Sequence, residues 1–262
     1  LTLTSASSQA TAIDVDLRST SNFGLTLEGE FNLISTQSGG VNFTTIGSTA
    51  GTRLGFSTNP GTLNVLAASG PIVVNTGASG FDKGSDTSTS QKAFFGSKTG
   101  TAVTSSSSNI QFIADDLAEL DEMNFATTGT LSIESLGNSF AANQPSISLN
   151  QTGLSGLNLG KSSNTANVTI GSATTVAGPV TVYGGNITIN GNINTSTGNA
   201  IGDILLKGTG NIIQNASKTI TTNGGDVVFW SDSDGNNDGM ISISSNVTTN
   251  GGHLWMGGGN GT

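Results

Sequence analysis

The chain has 262 residues with 38 glycines, no cysteine and only 10% charged residues, and 17 acidic side chains against eight Lys plus Arg leave a net charge of −9. There is no basic footprint for neutralising phosphates, so nucleic acid is not an expected partner. Without cysteine, disulfides and thiolate metal sites are excluded; no apolar run approaches the ~20 residues that cross a bilayer, and a hydrophobic share of 34% with four prolines fits neither collagen nor a highly charged disordered chain.

Short alternating runs open the chain at residues 1–4, 23–27, 41–46, 63–66 and 72–74, each bounded by Gly, Ser, Asn or Thr. This pattern predicts short strands joined by tight turns. Residues 1–110 therefore read as a β-solenoid segment with irregular insertions. Residues 111–126 break the rhythm: Leu117 and Leu120 stand among Asp115, Asp116, Glu119, Asp121 and Glu122, which reads as an acidic loop or a short helix. From 127 to 262 the runs return at 131–133, 168–170, 180–182 and 187–189 and read as a regular solenoid segment continuing past Thr262, the chain being expected to be a piece of a longer one.

A repeat decides the fold class. Ile220-Thr-Thr-Asn-Gly-Gly-Asp-Val-Val-Phe229 matches Val247-Thr-Thr-Asn-Gly-Gly-His-Leu-Trp-Met256 at an offset of 27, and Ile193-Asn-Thr195 leads to Gly202-Asp-Ile-Leu-Leu206 after a short insertion. A fainter echo pairs Gly70-Pro-Ile-Val-Val74 with Gly178-Pro-Val-Thr-Val182. Repeats of this length with insertions confined to turns predict an all-β fold, a parallel β-helix (β-solenoid) with coils of roughly 27 residues, in which each strand stacks on its counterpart. The competing architecture is a pair of antiparallel sandwiches. Alternation sends Ile204, Leu206, Val227, Phe229, Leu254 and Met256 into the core and turns Leu205, Val228 and Trp255 outward. Asn223 and Asn250 are expected to stack as an amide ladder at a turn.

The stretch Gly153-Leu-Ser-Gly-Leu-Asn-Leu-Gly-Lys-Ser-Ser-Asn-Thr-Ala-Asn-Val-Thr-Ile170, with Ala177-Gly-Pro-Val-Thr-Val-Tyr-Gly-Gly-Asn-Ile-Thr-Ile189 and the Thr-Thr-Asn-Gly-Gly copies, resembles the β-strand-repeat regions of filamentous-haemagglutinin-like large secreted bacterial exoproteins. The likeness is best over 125–262 and mainly compositional over 1–110. It implies a right-handed β-helical shaft, a secreted location outside the cell or at the bacterial cell surface, and a role in attachment, biofilm matrix or cell–cell contact. No secretion domain or receptor-binding end of that family is recognisable in the sequence, so no ligand-binding residue is carried over. The expected partners are neighbouring repeats of the same chain, copies of itself or surface glycans, with no catalysis. The lack of cysteine suits a chain exported unfolded.

Four local features bear on chemistry. Asp234-Gly-Asn236-Asn-Asp238-Gly-Met-Ile241 matches the first eight positions of an EF-hand-like calcium loop, but position twelve is Ser245 in place of a bidentate carboxylate. Calcium held by Asp232, Asp234, Asn236 and Asp238 is one reading, a polar turn the other. Trp230 and Trp255 have outward parity and are candidates for stacking on a sugar, or for being covered by neighbouring chain. His253, the only histidine, takes the repeat position of Asp226 and Asp203 and reads as a turn residue. The acidic pairs Asp14/Asp16 and Asp115/Asp116 are what a sugar-cleaving β-helix would need. The cations Arg18, Arg53, Lys83, Lys92, Lys98, Lys161, Lys207 and Lys218 are too scattered to neutralise an anionic polymer, so no catalytic residue is assigned.

Overall fold

The computed structural model describes residues 1–18, 25–27, 29–46, 54–56, 61–78, 81–82, 92–197 and 201–259. Phe23 and Gly24 of the first predicted runs, and the cations Arg53 and Lys83, lie outside the described residues. Two compact units are present, Leu1–Leu136 with Leu149–Gly153 and Gly137–Ser148 with Leu154–Thr262. All strand pairings among the described residues are parallel, which excludes the antiparallel sandwich, and the chain winds through about eight solenoid turns of about 27 residues. The only helical element among the described residues is a single 3-10 turn, Leu120–Glu122, inside the acidic stretch.

In the first unit one sheet stacks Thr2–Ser5, Glu30–Ser35, Thr62–Ala67, Ala93–Gly96, Met123–Ala126 and Asn150–Thr152. A second stacks Thr11–Arg18, Gly40–Ile46, Ile72–Gly77, Ile110–Ala114 and Thr130–Glu134, and a short third holds Leu25–Leu27, Leu54–Phe56 and Phe81–Asp82. Stacking puts like on like, so the inward row Phe43, Val74, Phe112, Ile133 runs through successive coils of the second sheet. Phe95 lies over Phe125 in the first sheet, with ring centroids 5.2 Å apart, and Phe112 meets Phe125 edge-on at 6.0 Å. These aromatic side chains are fully buried.

In the second unit the long sheet contains Gly156–Leu159, Val180–Gly184, Ile204–Gly208, Val227–Ser231 and Leu254–Gly258. Its partners are Gln144–Ile147, Val168–Ile170, Ile187–Ile189, Ile212–Gln214 and Ile241–Ile243, and the short strands Thr174–Thr175, Ile193–Asn194, Ile220–Thr221 and Val247–Thr248. The repeat is realised residue for residue: Ile204, Val227 and Leu254 are in register, as are Ile193, Ile220 and Val247. Ile204, Leu206, Val227 and Phe229 are buried and Leu205 and Val228 half-exposed, as alternation requires. Leu254 and Met256 differ: they are 44% and 52% exposed because, among the described residues, only the Val227 strand covers them.

Corners hold the coils in phase. The hydroxyls of Thr195, Thr222 and Thr249 donate to the carbonyls of Gly202, Gly225 and Gly252 at 2.6, 2.6 and 2.7 Å, closing the same turn in three successive coils. Glycine is required there by close approach, since a Cβ on Gly225 would lie 2.5 Å from the Gly202 carbonyl oxygen. The amide ladder expected at Asn223 and Asn250 forms elsewhere. Asn250 adopts φ +52 and donates to the Thr222 carbonyl at 2.6 Å. The stacked asparagines are Asn143, Asn167, Asn186 and Asn211, each side-chain oxygen accepting the backbone N–H of the next at 2.9, 2.8 and 2.7 Å, and Asn211 accepting that of Met240 at 2.9 Å. At the Asn223 turn the Thr222 hydroxyl donates to the carbonyls of Gly225 and Thr249 at 2.6 and 2.9 Å and the Gly224 N–H to the Thr249 carbonyl at 2.8 Å, so hydroxyl and backbone groups link the two coils there.

Candidate functional site

The acidic turn of residues 231–240 leaves the long sheet of the second unit after Val227–Ser231. Asp232 takes φ +48, and its backbone carbonyl accepts the N–H groups of Gly235 and Gly259, both at 3.0 Å. Its carboxylate accepts the Asn237 N–H at 3.0 Å, and the Asn236 side-chain oxygen accepts the Asp238 N–H at 2.8 Å. The Asn236 amide in turn donates to the Asp234 carboxylate at 3.1 Å. Three of the four predicted calcium ligands therefore already serve the loop's own donors. Asn236 and Asp238 line a shallow cleft of about 210 Å³ with Asn167 and Asn186 of the ladder, while Asp232 and Asp234 do not face it. Calcium takes six to eight oxygens. These bonds brace the turn, and the accepting side-chain oxygens keep further lone pairs beyond those the loop uses.

The two tryptophans meet. Trp230 is half-buried, its indole N–H donates to the Gly259 carbonyl at 3.0 Å, and Trp255 packs edge-on against it with centroids 6.1 Å apart. Lys207, one coil before Trp230 in the same outer row, holds its ammonium 4.0 Å from the centre of the Trp230 ring. Trp230 is thus covered by chain on its ring face and edge, whereas Trp255 stays 48% exposed. The outward parity of both is as expected, but they present one open ring and not two.

His253 sits on the Asp226 corner. The Asp226 carboxylate accepts the His253 backbone N–H at 2.7 Å and lies 3.0 Å from its Nδ1, while Asp203 accepts the Asp226 N–H at 2.8 Å. The same side-chain-to-backbone link recurs from coil to coil, so this position closes a turn. The contacts from His253, first its backbone amide and then its ring, hold the Asp226 carboxyl below its ordinary range. Asp14 and Asp16 lie exposed on the outer face of their strand, and the carboxylates of Asp115 and Asp116 accept the N–H groups of Leu136 at 3.0 Å and Ala118 at 3.1 Å. Glu119, Asp121 and Glu122 bring carboxylate oxygens within 4.8 Å of one another beside the 3-10 turn.

Comparison with protein-family models, with curated proteins and with solved structures brings no match for this chain. Among the described residues no helix is long and apolar enough to cross a membrane.

One feature of the first unit escaped sequence reasoning. The corner between its first and second sheets spans 36–39, 68–71 and 127–129 in three coils but 97–109 in another. This longer segment folds back as a strap over the outside of the first sheet, where Val103 buries Ile34 and Leu66, with Phe94 packed beside them. The two strand residues have outward parity and would otherwise be wet. Lys98 reaches along the strap, its ammonium 4.2 Å from the centre of the Phe94 ring and 3.1 Å from the side-chain oxygen of Asn64. The signal in the sequence was the Ser run 105–108, long for a corner and without alternating apolar residues.

Proposed function

We propose that the chain is a non-catalytic shaft segment of a secreted bacterial surface adhesin or extracellular matrix fibre. The observation that carries this reading is the use to which polar side chains are put: Asn143, Asn167, Asn186, Asn211, Asp203 and Asp226 all tie one coil to the next. A molecule whose polar groups serve stacking is built to extend and bear load. The bland outer surface, the absence of cysteine and the resemblance of the repeats to secreted exoproteins support the extracellular location. Antibodies raised against the segment should label intact, unpermeabilised cells of the source bacterium. Deleting one whole coil from the full-length protein should shorten the fibre by about 4.8 Å and leave export unchanged. Labelling only after permeabilisation would overturn the location, and loss of export on coil deletion would overturn the shaft role.

A second reading, end-to-end self-assembly, is favoured by the row Leu254, Trp255 and Met256, which is apolar and 44 to 52% exposed. A strand edge of this kind pairs readily with another strand. Concentration-dependent filaments that vanish in Trp255→Lys would establish it, and a chain that stays monomeric at high concentration would remove it.

A further inference from the structure

The strap 97–109 encloses two clefts on the outside of the first unit, one on either side of Lys98. The first, about 490 Å³, is lined by Phe94, Lys98, Thr99, Thr104, Asn124 and Thr152 among others. The second, about 370 Å³, is lined by Asn32, Asn64, Lys98 and Thr99 and closed at its far end by Glu30. These are volumes typical of small-molecule and sugar sites. The outer row beneath them is a ladder in register from coil to coil, Asn32, Asn64, Phe94, Asn124 and Asn150, so amides recur at about the 4.8 Å strand spacing.

Two properties set these clefts apart. The first is charge: in a chain of net charge −9 the larger cleft has no carboxylate in its wall, and Lys98 forms no ion pair among the described residues. Its ammonium rests on a neutral amide oxygen and an aromatic ring and keeps hydrogen-bonding capacity toward the cleft. The second is construction. Every other described corner from the first sheet to the second is short, and the residues of the longer one are fixed by Thr101, whose hydroxyl donates to the Lys98 carbonyl at 2.7 Å, and by the Lys98 N–H donating to the Val103 carbonyl at 3.0 Å. In coiled repeat proteins insertions of this kind form binding faces.

The geometry points to a binding site for a carboxylate-bearing sugar residue of a glycan. Lys98 takes the carboxylate, Asn124 and the hydroxyls of Thr99, Thr104 and Thr152 take ring hydroxyls, and Phe94 with Ala126 meets an apolar sugar face. A single carboxylate needs only one cation, so the scatter of the other basic residues is no obstacle. The site does not depend on the shaft reading and stands or falls separately.

The test is calorimetric titration of the whole chain with a short oligouronate and with a neutral oligosaccharide of equal length. The oligouronate should bind, more weakly as salt is raised, and the neutral sugar should bind far less. Lys98→Met keeps the stem over Phe94 and removes the charge, and should weaken oligouronate binding about tenfold to a hundredfold without moving the melting midpoint. Asn124→Asp adds a carboxylate to the cleft without touching the strap and should abolish binding. No binding of the oligouronate, equal binding of the neutral sugar, or unchanged affinity in either variant would overturn the site.

Discussion

The two units solve the same stacking problem with different materials. In the first, the rings of Phe43, Phe95, Phe112 and Phe125 are buried in the interior, and corners of varying length carry their own locks, the hydroxyls of Ser35, Ser108 and Thr127 donating to the carbonyls of Gly39, Ala67 and Ser108 at 2.6, 3.0 and 2.7 Å. In the second, Val, Ile and Leu dominate the interior, Phe229 being its largest fully buried side chain, and one locked corner recurs in successive coils at Thr195, Thr222 and Thr249, beside a ladder of asparagines. The difference teaches that corner locks need not repeat: in the first unit corners of unequal length, the strap among them, are each held in their own way, whereas in the second one locked turn recurs at matching positions. Regularity in the sequence is thus a sign that one locked corner is repeated, not that corners elsewhere are unlocked.

The largest break in the comparison should come from Phe95→Ala. It removes a ring packed against two others and should cost about 3–5 kcal/mol by chemical denaturation, with hydrogen exchange accelerated in the first unit and little changed in the second. Gly225→Val is the converse: a Cβ 2.5 Å from the Gly202 carbonyl oxygen forces the backbone of two coils apart. It should destabilise by about 1–3 kcal/mol or more, with exchange loss confined to the second unit. If both substitutions act equally on both units, the contrast drawn here fails.

Asn186→Ala takes the acceptor from the Asn211 N–H, now bonded at 2.7 Å, and should cost about 1–2 kcal/mol by thermal melting. Asn223→Ala, outside the ladder, should have a smaller effect. Asp226 supplies the smallest change, and it depends on pH. Folding lowers its pKa, through the His253 backbone amide first, so the contribution is present above the unfolded carboxylate value of about 4 and is lost as pH falls through the lower folded value. Exchange at the His253 amide should accelerate over that acid range. Asp226→Asn keeps an acceptor without the titrating charge and should flatten the dependence.

Much of the second unit was legible in the sequence because its corners repeat. Ile220 over Val247 and Val227 over Leu254 follow from one alignment of the Thr-Thr-Asn-Gly-Gly copies. The asparagine ladder was not, since Asn167, Asn186, Asn211 and Met240 are separated by unequal intervals that no single offset reveals. Trp230 and Trp255 were legible as outward residues, but the ammonium of Lys207 lying on one of them was not. The strap, with Lys98 over Phe94, left no periodic trace at all.

Taken by itself, the sequence determined an all-β fold and pointed to stacked coils, because a recurring offset with insertions confined to turns suits strands stacked on their own equivalents; the parallel pairing that excludes antiparallel sandwiches came from the tertiary structure. It also determined which faces point inward. Tertiary structure decided which inward residues are buried, since Leu254 and Met256 have the right parity yet lack a covering strand among the described residues. It decided too where the clefts lie. Parity is a property of one strand, whereas burial and cleft formation depend on what another segment, distant in sequence, lays over it.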